Sequence, residues 1–519
     1  MVLAPLDIGI VITYLIVIFA VAQWVSREKS DHQKNAQDYF LASRSLPWWA
    51  IGTSLIAANI SAEQIIGMSG SGYVIGLGIA SYEWMAALTL LIVGKYFLPI
   101  FLKNGIYTMP EFLERRYSPT VRTVMAVFWL GVYVFVNLTS ILWLGATAVH
   151  TVTGMEVDTA LYALAAFAGA YALYGGLKAV AMTDIVQVSL LVLGGLLISY
   201  IALNRVGDGS IVAGFQSLQT QFPDKFHMIL NSDNPNYKDL PGLSVLLGGL
   251  WVMNISYWGF NQYIIQRALG AKDLHEAQKG IVLASFLKLL MPVIIVLPGI
   301  AALALVPDLA RPDEAYPNLM GLLPSGILGL VFAALIAAII ASLGSKINSV
   351  ATIFTMDLYR AMRPQASQHS LVRTGRIAAV LALIVAVFSA RPLLGSFDQA
   401  FQYIQEFTGF FTPGICVIFL LGMFWQRTTA TAALTAAISS ALLSLAFKFG
   451  LPSVPFMDRV GLVFLACFVI AIVLSLLQKP STAAMKVELK NIDYSTKTSF
   501  NVASLIVIAI LCFLYSYFW

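Results

Sequence analysis

The sequence predicts an all-α integral membrane protein of about fourteen transmembrane helices, built around two inverted five-helix repeats. Three observations predict it. Hydrophobic residues fill 59% of the 519 positions and charged residues only 11%, whereas a soluble domain is about one quarter charged. The apolar residues fall into fourteen runs, each near the ~20 residues that cross a bilayer. Two of those runs, five apart in order, are interrupted at their centres by clusters of polar residues.

The runs lie at 5–25, 47–71, 77–102, 121–149, 158–175, 182–204, 241–266, 280–306, 322–346, 372–390, 399–424, 428–449, 460–478 and 499–518. The first is preceded by MVLAPLD, with no Lys or Arg, and followed by Arg27, Lys29, Lys34 and Arg44. A cleaved secretion signal has the opposite order, so a retained helix with its N-terminus outside is expected. With that direction, 21 of the 31 Lys and Arg fall on cytoplasmic segments and 7 outside. Fourteen spans then return the C-terminus to the outside, in the cell membrane.

The second run carries Asn59, Ser61, Glu63 and Gln64 at its middle. A continuous helix facing lipid does not tolerate this, but a helix that breaks inside the membrane does. The break frees backbone carbonyls, which are accommodated where they line a cavity. The seventh run repeats the pattern with Asn254, Ser256, Tyr257, Asn261 and Gln262, and the tripeptide Asn-Ile-Ser occurs at both 59–61 and 254–256. Runs two to six (47–204) and seven to eleven (241–424) then form two repeats. Each has an odd number of helices, so the second is inverted. Paired broken helices in inverted repeats point to a secondary transporter with its site at the midplane. The first run stands outside the repeats, and three further helices (428–519) come after them.

Several function classes drop out. No GxxxxGK[ST] loop is present, so no ATP-driven motor is expected on this chain. The three cysteines, Cys416, Cys467 and Cys512, sit singly in apolar runs, and no HxxxH or HExxH pair exists. A resident metal or a disulfide framework is therefore not expected. No nucleophile–base constellation suggests an enzyme, and nothing in the composition suggests a nucleic-acid partner. The lipid bilayer is the expected environment.

Ionisable groups inside spans are costly, so each is a functional candidate. They are Glu63, Glu83, Asp184, Lys288 and Lys346, with Glu406 beside Gln405; Lys95 lies near a helix end and is expected to reach the surface. No Arg lies in the middle of a predicted span (Arg122, Arg373 and Arg376 fall within the first turns of theirs), which favours a neutral solute over a carboxylate, since Arg is well shaped to hold carboxylates.

At these residues the sequence resembles the sodium/solute symporter family, and within it the bacterial sodium/galactose (glucose) symporters. The matching stretches are SLPWWAIGTSLIAANISAEQIIGMSGSGY, SYEWM, VGKYFLPIF, YGGLKAVAMTDIVQV, GGLWVMNISYWGFNQYIIQR, ATIFTMD and AFQYIQEFTGF. They run from the first cytoplasmic loop to the eleventh span. The resemblance implies a leucine-transporter-type fold, with extra N- and C-terminal helices around the repeats. It implies sugar contacts at Gln64, Glu83, Asn254, Lys288 and Gln405. It implies an inner gate at Tyr257 and an outer gate of Met68, Tyr82 and Phe401. The transported sodium ion, with no prosthetic group, is placed between spans two and nine. Its ligands are the carbonyls of Ala57, Ile60 and Ala338 with hydroxyls at 341 and 342, and Asp184 lies on its exit path.

Three positions depart from the family. Position 341 is Ala, so of the two expected hydroxyls only that of Ser342 is present. Lys346 stands four residues beyond Ser342, about 6 Å along the same helix face. Ala86 replaces the Ser of close sugar-transporting relatives. Two readings result. In one, sodium is retained, another oxygen replaces the lost hydroxyl, and Lys346 pairs with Asp184 or points to the cytoplasm. In the other, the Lys346 ammonium occupies or repels the cation, giving proton-coupled or uncoupled transport, or a sensor. The expected function is import of a neutral hexose coupled to sodium by alternating access, with another small polyol as the alternative solute.

Overall fold

The computed structural model describes residues 3–25, 44–395, 400–479 and 486–519, and for 22, 23, 25 and 173–185 the backbone alone. Among the described residues there is no β-strand, only one isolated bridge between Leu46 and Ala271. Every long apolar run has become helix, which satisfies its backbone groups internally as a bilayer requires.

The helices are α1 (Pro5–Val25), α2 (Trp48–Asn59), α3 (Met68–Val74), α4 (Ser81–Ile92), α5 (Pro119–Val132) and α6 (Thr139–Thr153). Next come α7 (Val157–Val206), α8 (Gly249–Ile255), α9 (Gln262–Leu269), α10 (Leu274–Leu305) and α11 (Ile327–Ile353). The chain ends with α12 (Gln368–Leu394), α13 (Ala400–Gly409), α14 (Thr412–Phe424), α15 (Ala430–Gly450), α16 (Phe456–Leu477) and α17 (Thr498–Tyr517). Local chemistry sets several starts. The side chains of Ser118, Asp273, Ser367 and Thr429 each accept a hydrogen bond from a first-turn N–H of α5, α10, α12 and α15, the usual device for an N-cap. Gly154, with φ of +77°, ends α6 in the left-handed conformation.

Ten helical segments among the described residues are long and apolar enough to cross a membrane, and the bent pair α13–α14 (46°) makes an eleventh. The other three expected spans are present as shorter pieces. They are the apolar stretches Pro5–Val21 and Val157–Ala172, and the interrupted helix α2–α3. The two spans expected at 158–175 and 182–204 belong to the one helical segment α7.

Both expected interruptions occur. The first is at Ile60 (φ −69°, ψ 86°), after which the chain resumes through a π-helical turn, Glu63–Gly67, into α3. The second is at Asn261 (φ −85°, ψ 119°), preceded by a π-helical turn, Ser256–Phe260. The repeated Asn-Ile-Ser therefore marks the first break but not the second. Asn254 lies within α8, seven residues ahead of the interruption.

Burial separates a core from a rim. Of the apolar stretch in Ile327–Met362, 89% is buried inside the protein, against 28% for Phe456–Leu477 and 17% for Thr498–Tyr517. Leu465, Val469 and Leu505 on these rim helices are exposed, and in a bilayer such surface meets lipid. In the core, α10 lies against both halves of the broken helix along a seam of small residues. A Cβ on Gly52 would fall 2.7 Å from the Gly280 oxygen, and one on Gly299 would fall 2.1 Å from the Ser69 oxygen. Such close backbone approach is how helices associate where water gives no hydrophobic drive.

One face of the molecule gathers both ends of the chain. Asp7 accepts hydrogen bonds from the backbone of Gly326 (2.7 Å) and Gly329 (2.8 Å), at the start of α11. The connector 207–241 docks on the end of α3, where the Asn236 amide donates to the Val74 oxygen at 3.1 Å. The Met228 N–H of that connector donates to the Phe518 oxygen at 2.7 Å. In the same connector, burial and then the Glu406 charge push the Asp239 carboxyl above the usual carboxylate range.

Candidate functional site

A cavity lies between the two breaks. Its polar lining includes Asn59, Gln64, Glu83, Asn254 and Gln405, and its apolar lining includes Trp129, Tyr257 and Phe401. Three π-helical turns supply lining residues: Gln64 from Glu63–Gly67, Asn137 from Tyr133–Leu138 and Tyr257 from Ser256–Phe260. A π-turn inserts one residue into the helical register and so re-aims the side chains beyond it, which is why such turns concentrate at functional sites.

The polar edge is one connected network. The Lys288 ammonium is 2.5 Å from Glu83 Oε2, with both residues essentially unexposed. The Gln64 amide donates to Glu83 Oε1 at 2.8 Å. Lys288 also donates to Asn59 Oδ1, and the Asn59 amide donates to the Tyr257 hydroxyl at 3.0 Å. The Tyr263 hydroxyl donates to Tyr257 at 2.5 Å. Two charges taken out of water are tolerated only when so paired and bonded. Trp258 adds its ring face, 4.9 Å from the Lys288 nitrogen.

This edge still has unspent capacity. Among the described residues, Gln64 Oε1, Asn254 Nδ2, Asn137 Oδ1 and the Tyr82 hydroxyl are buried without a hydrogen-bond partner. The set offers acceptors, donors and a hydroxyl that is both. That matches a neutral polyol, whose hydroxyls donate and accept. Opposite, Tyr82 and Phe401 meet edge to face, with centroids 5.3 Å apart at 80°.

Of the sugar contacts expected from the sequence, Gln64, Glu83, Asn254 and Gln405 line the cavity. Lys288 does not; it stands behind Glu83 and holds it. The gate residues Tyr82, Tyr257 and Phe401 line the cavity too, whereas Met68 is fully buried away from it. Ala86, the departure near Glu83, lines the cavity.

The expected cation residues lie in the interior, and one contact joins their two helices. Ala57, Ile60, Ala338, Ala341 and Ser342 are all buried. The Ser342 hydroxyl donates to the Ala58 oxygen at 3.3 Å, joining α11 to the end of α2. Lys346 does not reach the cytoplasm. Its nitrogen donates to Ser342 Oγ at 3.2 Å and lies 4.1 Å from the Tyr263 ring centroid. The side chain of Asp184 lies outside the described residues.

The sequence reading missed four participants. Asn59 was visible only as part of a polar cluster, and it proves to be the link between Lys288 and Tyr257. Tyr263 and Asn137 carried no signal that separates a site residue from packing. Arg267 falls one position beyond the seventh predicted span, yet it is fully buried on α9. There it donates to Ser54 Oγ at 3.1 Å and to the Tyr263 oxygen at 2.5 Å. It does not line the cavity, so it adds no anion site there.

Sequence comparison matches residues 39–439 to the pattern of the sodium:solute symporter family. The chain belongs to that family. Among similar family proteins, the sodium/glucose cotransporter of Vibrio parahaemolyticus is 50% identical, over 100% of this chain and 99% of that protein. The human sodium/myo-inositol cotransporter 2 is 33% identical, over 85% of this chain and 70% of that protein. A solved Na+-coupled sialic acid symporter in its substrate-bound outward-open state has the same fold. It shows a TM-score of 0.81 at 22% identity, covering 93% of this chain and all of that one. The nucleobase-cation-symport-1 transporter Mhp1 shares the fold more loosely, at a TM-score of 0.53 and 14% identity. This sodium:solute symporter chain is thus a multi-pass membrane transporter rather than an enzyme.

Proposed function

We propose that this protein imports a neutral hexose, glucose- or galactose-like, driven by sodium through alternating access. One observation carries the reading. Among the described residues the cavity wall carries no cation: its charged lining groups are Glu83, paired with Lys288 behind it at 2.5 Å, and Glu63, which leaves a polar edge facing apolar walls. A wall without a cation offers nothing to hold an anionic solute, and its unpaired amides fit hydroxyls. The full-length similarity to a sodium/glucose cotransporter supports the same substrate and ion.

In this scheme Gln64, Glu83, Asn254 and Gln405 bond the sugar, with Lys288 holding Glu83. Tyr257 closes the cytoplasmic side and Tyr82 with Phe401 the outer side. Sodium is cargo, held by the carbonyls of Ala57, Ile60 and Ala338 and by Ser342. The repeats are 47–204 and 241–424, and both termini face outward in the cell membrane. A second reading, transport of a cyclic polyol, is favoured by Ala86 in the cavity wall and by the similarity to myo-inositol cotransporters.

The test is uptake of labelled glucose, galactose and myo-inositol into proteoliposomes under separate sodium and proton gradients. Sodium-driven accumulation of a hexose is expected. Uptake indifferent to sodium overturns the coupling, and accumulation of myo-inositol alone selects the second reading.

A further inference from the structure

We infer that Lys346 is a resident positive charge at the cation site, which weakens sodium binding in this chain relative to one with an uncharged residue there. The inference rests on the sodium-coupled reading above.

A serine hydroxyl has one hydrogen and two lone pairs. Ser342 directs its hydrogen to the Ala58 oxygen at 3.3 Å and accepts from the Lys346 ammonium at 3.2 Å. The ammonium therefore already draws on the oxygen that sodium requires. It is also held in place. Lys346 is 0% exposed, and its nitrogen sits over the Tyr263 ring at 4.1 Å. A cation desolvated against an aromatic face is attracted to it, so the chain does not swing away when sodium arrives.

Its charged neighbours among the described side chains have other partners as well. From the turn after α2, Glu63 faces the ammonium as an anion, and it is already bonded by Ser140 from α6 and by Ser61. From α9, Arg267 reaches the same stretch of α11 through Ser345 and is bonded also to Ser54. A sodium ion entering between Ile60 and Ser342 meets the Lys346 ammonium at short range in a poorly screened interior.

The position also touches the solute side. Tyr263, whose ring supports Lys346, donates its hydroxyl to Tyr257, which in turn accepts from Asn59. Lys346 thus adjoins the network that ends at Glu83 in the cavity.

The experiment measures half-saturating sodium for the full-length protein in detergent. The readouts are direct binding of radioactive sodium and the sodium dependence of sugar binding. The variants are Lys346→Met and Lys346→Gln, with Lys95→Met as a control for losing a lysine elsewhere and thermal unfolding as the check of folding. At least one neutral variant is expected to bind sodium at least about tenfold more tightly, with the control unchanged. A parent indifferent to sodium beside a responsive Lys346→Met also supports the inference. Unchanged half-saturating sodium in every folded neutral variant of a sodium-responsive parent overturns the inference alone. Indifference to sodium in the parent and in both folded variants overturns the sodium reading together with it. Should Lys346→Met fail to fold, Lys346→Gln decides by the same criterion.

Discussion

At the scale of single residues, the cavity network makes definite demands. Lys288→Ala leaves the Glu83 carboxylate buried with Gln64 as its remaining partner, and removal of one member of a buried pair costs about 3–5 kcal/mol. A strongly reduced melting temperature in detergent is expected. The double variant Glu83→Gln/Lys288→Met removes both charges, so its melting temperature should largely recover while sugar binding does not. Recovery of both would show that the pair serves only the fold. Ala86→Ser restores a hydroxyl in the cavity wall and should change the ratio of glucose to galactose to myo-inositol uptake. An unchanged ratio would remove Ala86 as a selectivity determinant. Much of this was legible from composition alone, because charges inside apolar runs are few and conspicuous. Glu83 and Lys288 stood out for that reason. Their link through Asn59 to Tyr257 did not, because a polar cluster in sequence does not say which neighbour each member will face.

At the scale of elements, hydropathy located the apolar spans, and the polar cluster at 59–64 contains the first break, at Ile60. The polar run 254–262 covered the second break, at Asn261, without fixing its position. Short identical strings reflect composition as much as geometry: Asn59 stands one residue ahead of the first break, whereas Asn254 stands seven ahead of the second. The close seam between α10 and the broken helix was not legible either, since glycine in an apolar run reads equally as packing or as flexibility. It yields a prediction. Gly299→Ala places a methyl group 2.1 Å from the Ser69 oxygen, so backbone must move. A marked loss of folded yield is expected, with Gly9→Ala, where no atom lies within 4 Å, as the neutral comparison. Equal yields of the two variants would mean that the seam is looser than these distances imply.

At the scale of the whole molecule, coupling must be reciprocal. If sodium tightens sugar binding by some factor, sugar tightens sodium by the same factor, and calorimetric titration in either order checks it. Orientation is open to a second measurement. Asn231 is exposed in the connector that meets the C-terminal end, and Arg363 is exposed after α11 on the opposite side. In a chain stripped of its three cysteines, Asn231→Cys should react with a membrane-impermeant thiol reagent on intact cells. Arg363→Cys should react only after permeabilisation. The reverse pattern would invert the proposed topology.

The seam along α10 bears on how such a molecule moves. A helix with a non-helical residue at mid-depth looks like a joint, and a joint at Ile60 would let α2 and α3 swing separately. Yet one uninterrupted helix grips both, at Gly52 below the break and at Gly299 beside Ser69 above it. A splint fixed to both fragments of a broken rod restores the rod. The two halves are therefore held together as one unit by α10. Ile60 is then a fixed point rather than a joint, its carbonyl oxygen held in place relative to both halves. That unit meets α11 at Ser342, where α11 touches the end of α2 and where Lys346 sits.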